Sequence, residues 1–101
     1  MKKKTLTCAV LLALALPVAA FADGAAIYKA KCAACHGADG SGQTTIGKNL
    51  KLKDLGTPEV QNLTNVEMTK ILAEGKGKMK PSKLSAQDME AVIAFVRSLK
   101  K

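Results

Sequence analysis

Cys32-Ala33-Ala34-Cys35-His36 is the stretch whose residue types and spacing can do chemistry. Residues three apart share a face of a helical turn, so two thiols point the same way with an imidazole beside them. A structural zinc site needs four ligands, usually two pairs of Cys or His, and His36 is the only histidine in the chain. A thioredoxin-like thiol pair belongs in a βαβ context, and no strand-like alternation surrounds this one. A plain disulfide would suit an exported protein, but it gives His36 no role. Covalent attachment of haem uses all three residues. The Cys-x-x-Cys-His signature offers both thiols to the two vinyl groups on one porphyrin edge and sets the histidine under the ring as an iron ligand. The other nitrogen of such a ring normally donates to a carbonyl, which fixes its tautomer.

The second axial ligand has to be something other than histidine. Beyond the first 22 residues the methionines are Met68, Met79 and Met89. Met68 and Met89 fall at apolar positions near helix starts, where packing accounts for them. Met79 stands in Gly75-Lys76-Gly77-Lys78-Met79-Lys80-Pro81, with no apolar neighbours to pack on. A thioether is a soft ligand that raises the potential of haem iron, so Met79 is the expected distal ligand. Iron held at both axial positions has no open site for a substrate, which favours outer-sphere electron exchange. Nothing else in the chain offers a nucleophile, a base or paired carboxylates, so no catalytic residue is assigned and an enzyme is not expected. Two other readings stand beside this one: a haem enzyme or gas sensor from whose iron Met79 departs, and a subunit of a larger oxidoreductase.

The elements that must position these residues begin after a leader. Lys2, Lys3 and Lys4 precede an apolar run from Leu6 to Ala19, and Ala20-Phe21-Ala22 supplies a small-x-small site. That pattern is a secretory signal peptide, and the run is shorter than the roughly 20 residues that cross a bilayer. Residues 1–22 are therefore expected to be cleaved, leaving one domain, 23–101, soluble in the periplasm and not inserted in a membrane. Cys8 lies too early to be a lipoprotein cysteine and would leave with the leader. The 101-residue chain carries 16 Lys+Arg against 8 Asp+Glu, a net +8. Removing three leader lysines leaves a basic domain without the dense footprint or the aromatic residues of a nucleic-acid binder.

A domain this small rarely stabilises itself by apolar packing alone, and this one has only Tyr28 and Phe95 as aromatics after the leader, with no Trp. A buried haem would complete the core. Asp23 can cap a first helix in which Tyr28, Cys32 and Cys35 share a face. Gly37 to Gly47 reads as a loop, and Thr57-Pro58 as the start of a short helix. Thr64 with Glu67 forms a capping box stapled by Leu63 and Met68, and Ser85 with Asp88 repeats it with Leu84 and Met89. The first of these helices stops near Gly75. The second runs to about Leu99 with Met89, Val92, Ile93, Val96 and Leu99 as its apolar stripe. The expected fold class is all-α.

From Asp23 onward the chain resembles the class I cytochromes c, of the small bacterial sort similar to cytochromes c6, c553 and c551. The likeness rests on Gly24 and Tyr28 ahead of Cys32-Ala33-Ala34-Cys35-His36-Gly37, then Gly40 and Gly42. It continues through Ile46-Gly47-Lys48-Asn49-Leu50, Ile71 through Gly77, Met79, and a terminal helix with Phe95. The resemblance implies a small monohaem fold of short helices wrapped around one haem c, bound through Cys32 and Cys35, with iron held by His36 and Met79. It implies that the first and last helices cross near Gly24 and Phe95, and that the protein is a one-electron carrier, monomeric, serving other redox proteins. Two positions depart from the family. Lys48 stands where the family often has a proline whose carbonyl accepts the proximal histidine proton, and Lys48 has a carbonyl of its own to offer. Lys80 separates Met79 from Pro81, where the family often has proline next. Lys48, Lys51, Lys53, Lys76, Lys78, Lys80 and Lys83 cluster where the family exposes its haem edge, so an acidic docking surface on the partner is expected.

Overall fold

A computed structural model describes residues 16–101, with side chains from Asp23 onward. The leader expectation falls mostly on residues 1–15, outside the described residues. Among these described residues six helices follow in order: α1 Leu16–Lys31, α2 Ala33–His36, α3 Thr45–Leu50, α4 Pro58–Gln61, α5 Asn65–Glu74 and α6 Ala86–Ser98. Among the described residues the only extended pairing is one isolated antiparallel bridge, between Lys76 and Met79. The class is all-α.

Helices α5 and α6 begin where local chemistry dictates. The Thr64 hydroxyl accepts from Glu67 N at 3.0 Å and the Glu67 carboxylate accepts from Thr64 N at 2.8 Å, a complete capping box that satisfies two otherwise orphaned amides. Those bonds hold the Glu67 carboxyl below its ordinary pKa. At α6 the Ser85 hydroxyl accepts from Asp88 N at 3.1 Å, the first half of the same arrangement. Pro58 occupies the first turn of α4, where its missing N–H costs nothing.

Two expectations need correction. Asp23 does not cap the first helix: α1 already runs from Leu16 through it, because the Ala-rich sequence on either side favours helix and nothing breaks it. The segment read as a loop to Gly47 turns helical at Thr45. Its cap is Thr44, whose hydroxyl accepts from Gly47 N at 2.8 Å.

The core is the crossing of α1 over α6, with α5 also packed on α6. At Gly24 the two backbones touch: a Cβ there would stand 2.0 Å from the Ala91 carbonyl oxygen. One turn further on, Tyr28 meets Phe95 with ring centroids 4.8 Å apart and planes tilted by 41°. The crossing thus lies where the resemblance puts it, with Gly24 against Ala91 and Phe95 against Tyr28. Among the described residues the buried apolar side chains are Tyr28, Met68, Ala91, Val92 and Ile93. Met89, Val96 and Leu99 of the expected stripe are only half-buried. At about 1.5–3 kcal/mol for each large side chain, so short a set is a thin core for a domain this size.

Arg97 ties α6 to the chain between α4 and α5. Its guanidinium donates to the carbonyls of Gln61 and Leu63 and to Asn65 Oδ1, each at 2.7 Å. Gln61 Nε2 returns bonds to Leu55 O at 2.8 Å and Val96 O at 2.9 Å.

Candidate functional site

Cys32, Cys35 and His36 lie on one helical turn. Cys32 N donates to Tyr28 O at 2.8 Å, continuing α1, and His36 N donates to Cys32 O at 3.0 Å. Three successive carbonyls of this turn are then pinned from three directions. Thr44 Oγ1 donates to Cys35 O at 2.7 Å, Gly42 N donates to His36 O at 2.7 Å, and the Tyr28 hydroxyl donates to Gly37 O at 2.6 Å. Gly47 of α3 closes on the same place, since a Cβ there would sit 2.6 Å from Cys35 O. The backbone of the His36 turn is held on every side by the chain itself.

Its side chains are not. Cys32 and Cys35 are free, half-buried thiols, and burial raises the Cys32 pKa, offset in part by Lys31. Burial lowers the His36 pKa, so the ring is neutral, the form that ligates metal. His36 Nδ1 is buried and has no hydrogen-bond partner. The carbonyl that the resemblance assigns to it, that of Lys48, accepts from Lys51 N at 3.2 Å at the end of α3. The expected bond from His36 Nδ1 is not made. Beside α2, Ile46 and Leu50 stand one turn apart on α3 and are 47% and 37% exposed, an apolar face that a flat apolar body would cover.

Met79 lies in a separate segment, the tight loop that follows α5. It is half-buried, and its backbone is bonded to Lys76 in both directions. Helix α6 links the two segments, packing on α1 and on α5. Met68 is buried in the core, as expected for a packing residue, and Met89 is half-buried on α6. Among the described residues no cluster of three or more His, Cys, Asp or Glu could hold a metal by itself, and no helix is long and apolar enough to cross a membrane.

The cytochrome c family model matches residues 21–100. The chain belongs to the cytochrome c family. No curated protein and no solved structure matches it. Like its family, this cytochrome carries a covalently attached haem c with its iron and works in electron transfer with redox partners. The chain's residues fit that group: a neutral imidazole, two thiols on one turn beside it, a thin core and an exposed apolar face.

Sequence reasoning missed Thr44, Gly42 and Arg97 as positioning residues. Thr44 had a local signal, a capping residue followed by six residues able to form helix. Arg97 had none, because its acceptors are backbone carbonyls far away in the chain.

Proposed function

We propose that this cytochrome is an exported, periplasmic one-electron carrier in which Cys32 and Cys35 hold the haem and His36 and Met79 are the axial ligands. The observation that carries the reading is the His36 turn, whose backbone is pinned at three carbonyls while its imidazole is neutral and half-buried. The bound haem supplies an iron centre that takes up and gives back single electrons. The pinned turn keeps His36 from moving between oxidation states, which favours outer-sphere exchange over ligand loss. Among the described residues Met79 is the only methionine outside the helices, and its soft sulfur favours the reduced state.

Cleavage after Ala22 would leave Asp23 in the first turn of a shortened α1, where a carboxylate is favoured by the helix dipole. Intact mass of the exported protein checks that boundary. Lys48, Lys51, Lys76, Lys78, Lys80 and Lys83 are all exposed and suit an acidic partner, since complementary charge speeds small, transient encounters. Lys53 is exposed as well and differs only in pairing with Glu59 at 3.1 Å.

Replacing Met79 tests the assignment. Met79→Ala is expected to abolish the weak near-infrared band of the ferric protein and to lower its potential. An unchanged ferric spectrum would show that the distal ligand is another group.

A further inference from the structure

We propose that a two-residue turn built on Gly77 and seated on Gly75 is what positions Met79, doing the work of the proline that this chain lacks at position 80. The inference rests on the reading of Met79 as distal ligand. Lys76 N donates to Met79 O at 3.0 Å, and Met79 N donates to Lys76 O at 2.9 Å. Both backbone polar groups of Met79 are thereby committed to one residue across a two-residue turn, Gly77-Lys78. Gly77 has φ +58° while Lys78 is not among the residues with positive φ. That sign pattern belongs to a type II′ turn, which calls for glycine at its first central position.

The turn is set against the end of α5 by backbone contact. Gly75 has φ +81°, and a Cβ there would stand 2.4 Å from Met79 O and 3.0 Å from Pro81 N. The returning chain therefore lies directly on the Gly75 backbone. Ser82 N donates to Leu72 O at 2.8 Å, tying the exit of the loop to the last turn of α5. The side chains of Lys76, Lys78 and Lys80 are exposed and add no packing that could hold the loop. Main-chain geometry alone places the Met79 Cα, and it needs glycine at 75 and 77.

Gly77 gives the clean test, because a Cβ there meets nothing within 4 Å. Alanine adds no clash, so its only cost is the left-handed backbone conformation, which applies while the turn is closed and vanishes when it opens. Exogenous imidazole competes with Met79 for iron, and its apparent affinity follows the open fraction. In the ferric holoprotein, Gly77→Ala is expected to bind imidazole about 5- to 30-fold more tightly than the parent and to weaken the near-infrared band. Gly77→Asn, which tolerates positive φ, is expected to fall between the two. Met79→Ala is titrated in parallel. If Gly77→Ala and Gly77→Asn bind imidazole like the parent while Met79→Ala binds more tightly, Met79 is the ligand and the turn does not position it; the inference is then overturned. If Met79→Ala also binds like the parent, the ligand reading itself fails and takes the inference with it.

Discussion

Replacing Tyr28 by Phe should produce two stability curves that converge as pH rises. The Tyr28 side chain is 2% exposed, and its hydroxyl donates to Gly37 O at 2.6 Å. Burial, then the charges of Cys32 and Asp39, pushes its pKa up from 10.0 to about 12. At neutral pH the variant loses one hydrogen bond and leaves the Gly37 carbonyl short of a partner, a cost of about 1–3 kcal/mol. The difference shrinks in alkali. A phenol whose folded pKa is raised keeps its proton longer when folded, so its contribution is intact below pH 10 and is lost as pH climbs toward 12. Two pKa units correspond to roughly 2.7 kcal/mol. That is an upper bound for the haem-bound protein, because a thioether sulfur at Cys32 carries no charge and burial alone remains as the main cause. Urea unfolding of parent and Tyr28→Phe, followed by far-ultraviolet circular dichroism at several pH values, measures the difference directly. Lysine titration affects both proteins and cancels in that difference. Parallel curves between pH 10 and 12 would refute the claim that the hydroxyl is buried in its neutral form.

Arg97→Ala removes a fork that satisfies three acceptors at 2.7 Å; with two of those bonds part-buried, the loss should be on the order of 3 kcal/mol. Arg97→Lys should recover only a small part of it, because an ammonium cannot span the three acceptors as a planar guanidinium does; equal stability of the two proteins in a thermal melt would show that the fork contributes nothing. Lys51 caps α3 with φ +57°, a conformation costing a non-glycine residue about 1–2 kcal/mol, so Lys51→Gly should gain roughly 0.5–1 kcal/mol after the greater entropy of unfolded glycine is subtracted. The same substitution should slow reduction by an acidic redox protein at low salt and not at high salt, as stopped-flow rates would report.

What could be read from the sequence is what depends on near neighbours. Thr64 and Ser85 announce their helices because a hydroxyl, a carboxylate and the amides they serve lie within one turn. The Cys32–His36 turn is legible for the same reason. Asp23 is no cap in the uncleaved chain because a cap acts only where a helix starts, and α1 there starts at Leu16. The Lys48 carbonyl misled because the resemblance carries a residue's position but not the backbone conformation around it, here the last turn of α3. The Met79 segment was legible as a loop from its glycines, but its turn was not, since the turn depends on the φ of Gly75 and Gly77 and on where the returning chain lies.

These residues divide the work in one consistent way. Around His36 the chain satisfies the carbonyls of Cys35, His36 and Gly37 from Thr44, Gly42 and Tyr28, and around Met79 it satisfies both backbone groups from Lys76. Main-chain polar groups near the site therefore need nothing from a cofactor. The side chains are in the opposite state: the His36 ring is neutral, the cysteines are free, and Ile46 and Leu50 stand exposed. A group that supplies apolar surface, two carbon attachment points and a metal answers those side-chain needs without disturbing the backbone frame. The same division explains why the buried apolar set is so short. Small domains commonly complete their stability with a covalent or metal staple, and in this cytochrome the covalent haem c of its family fills both roles.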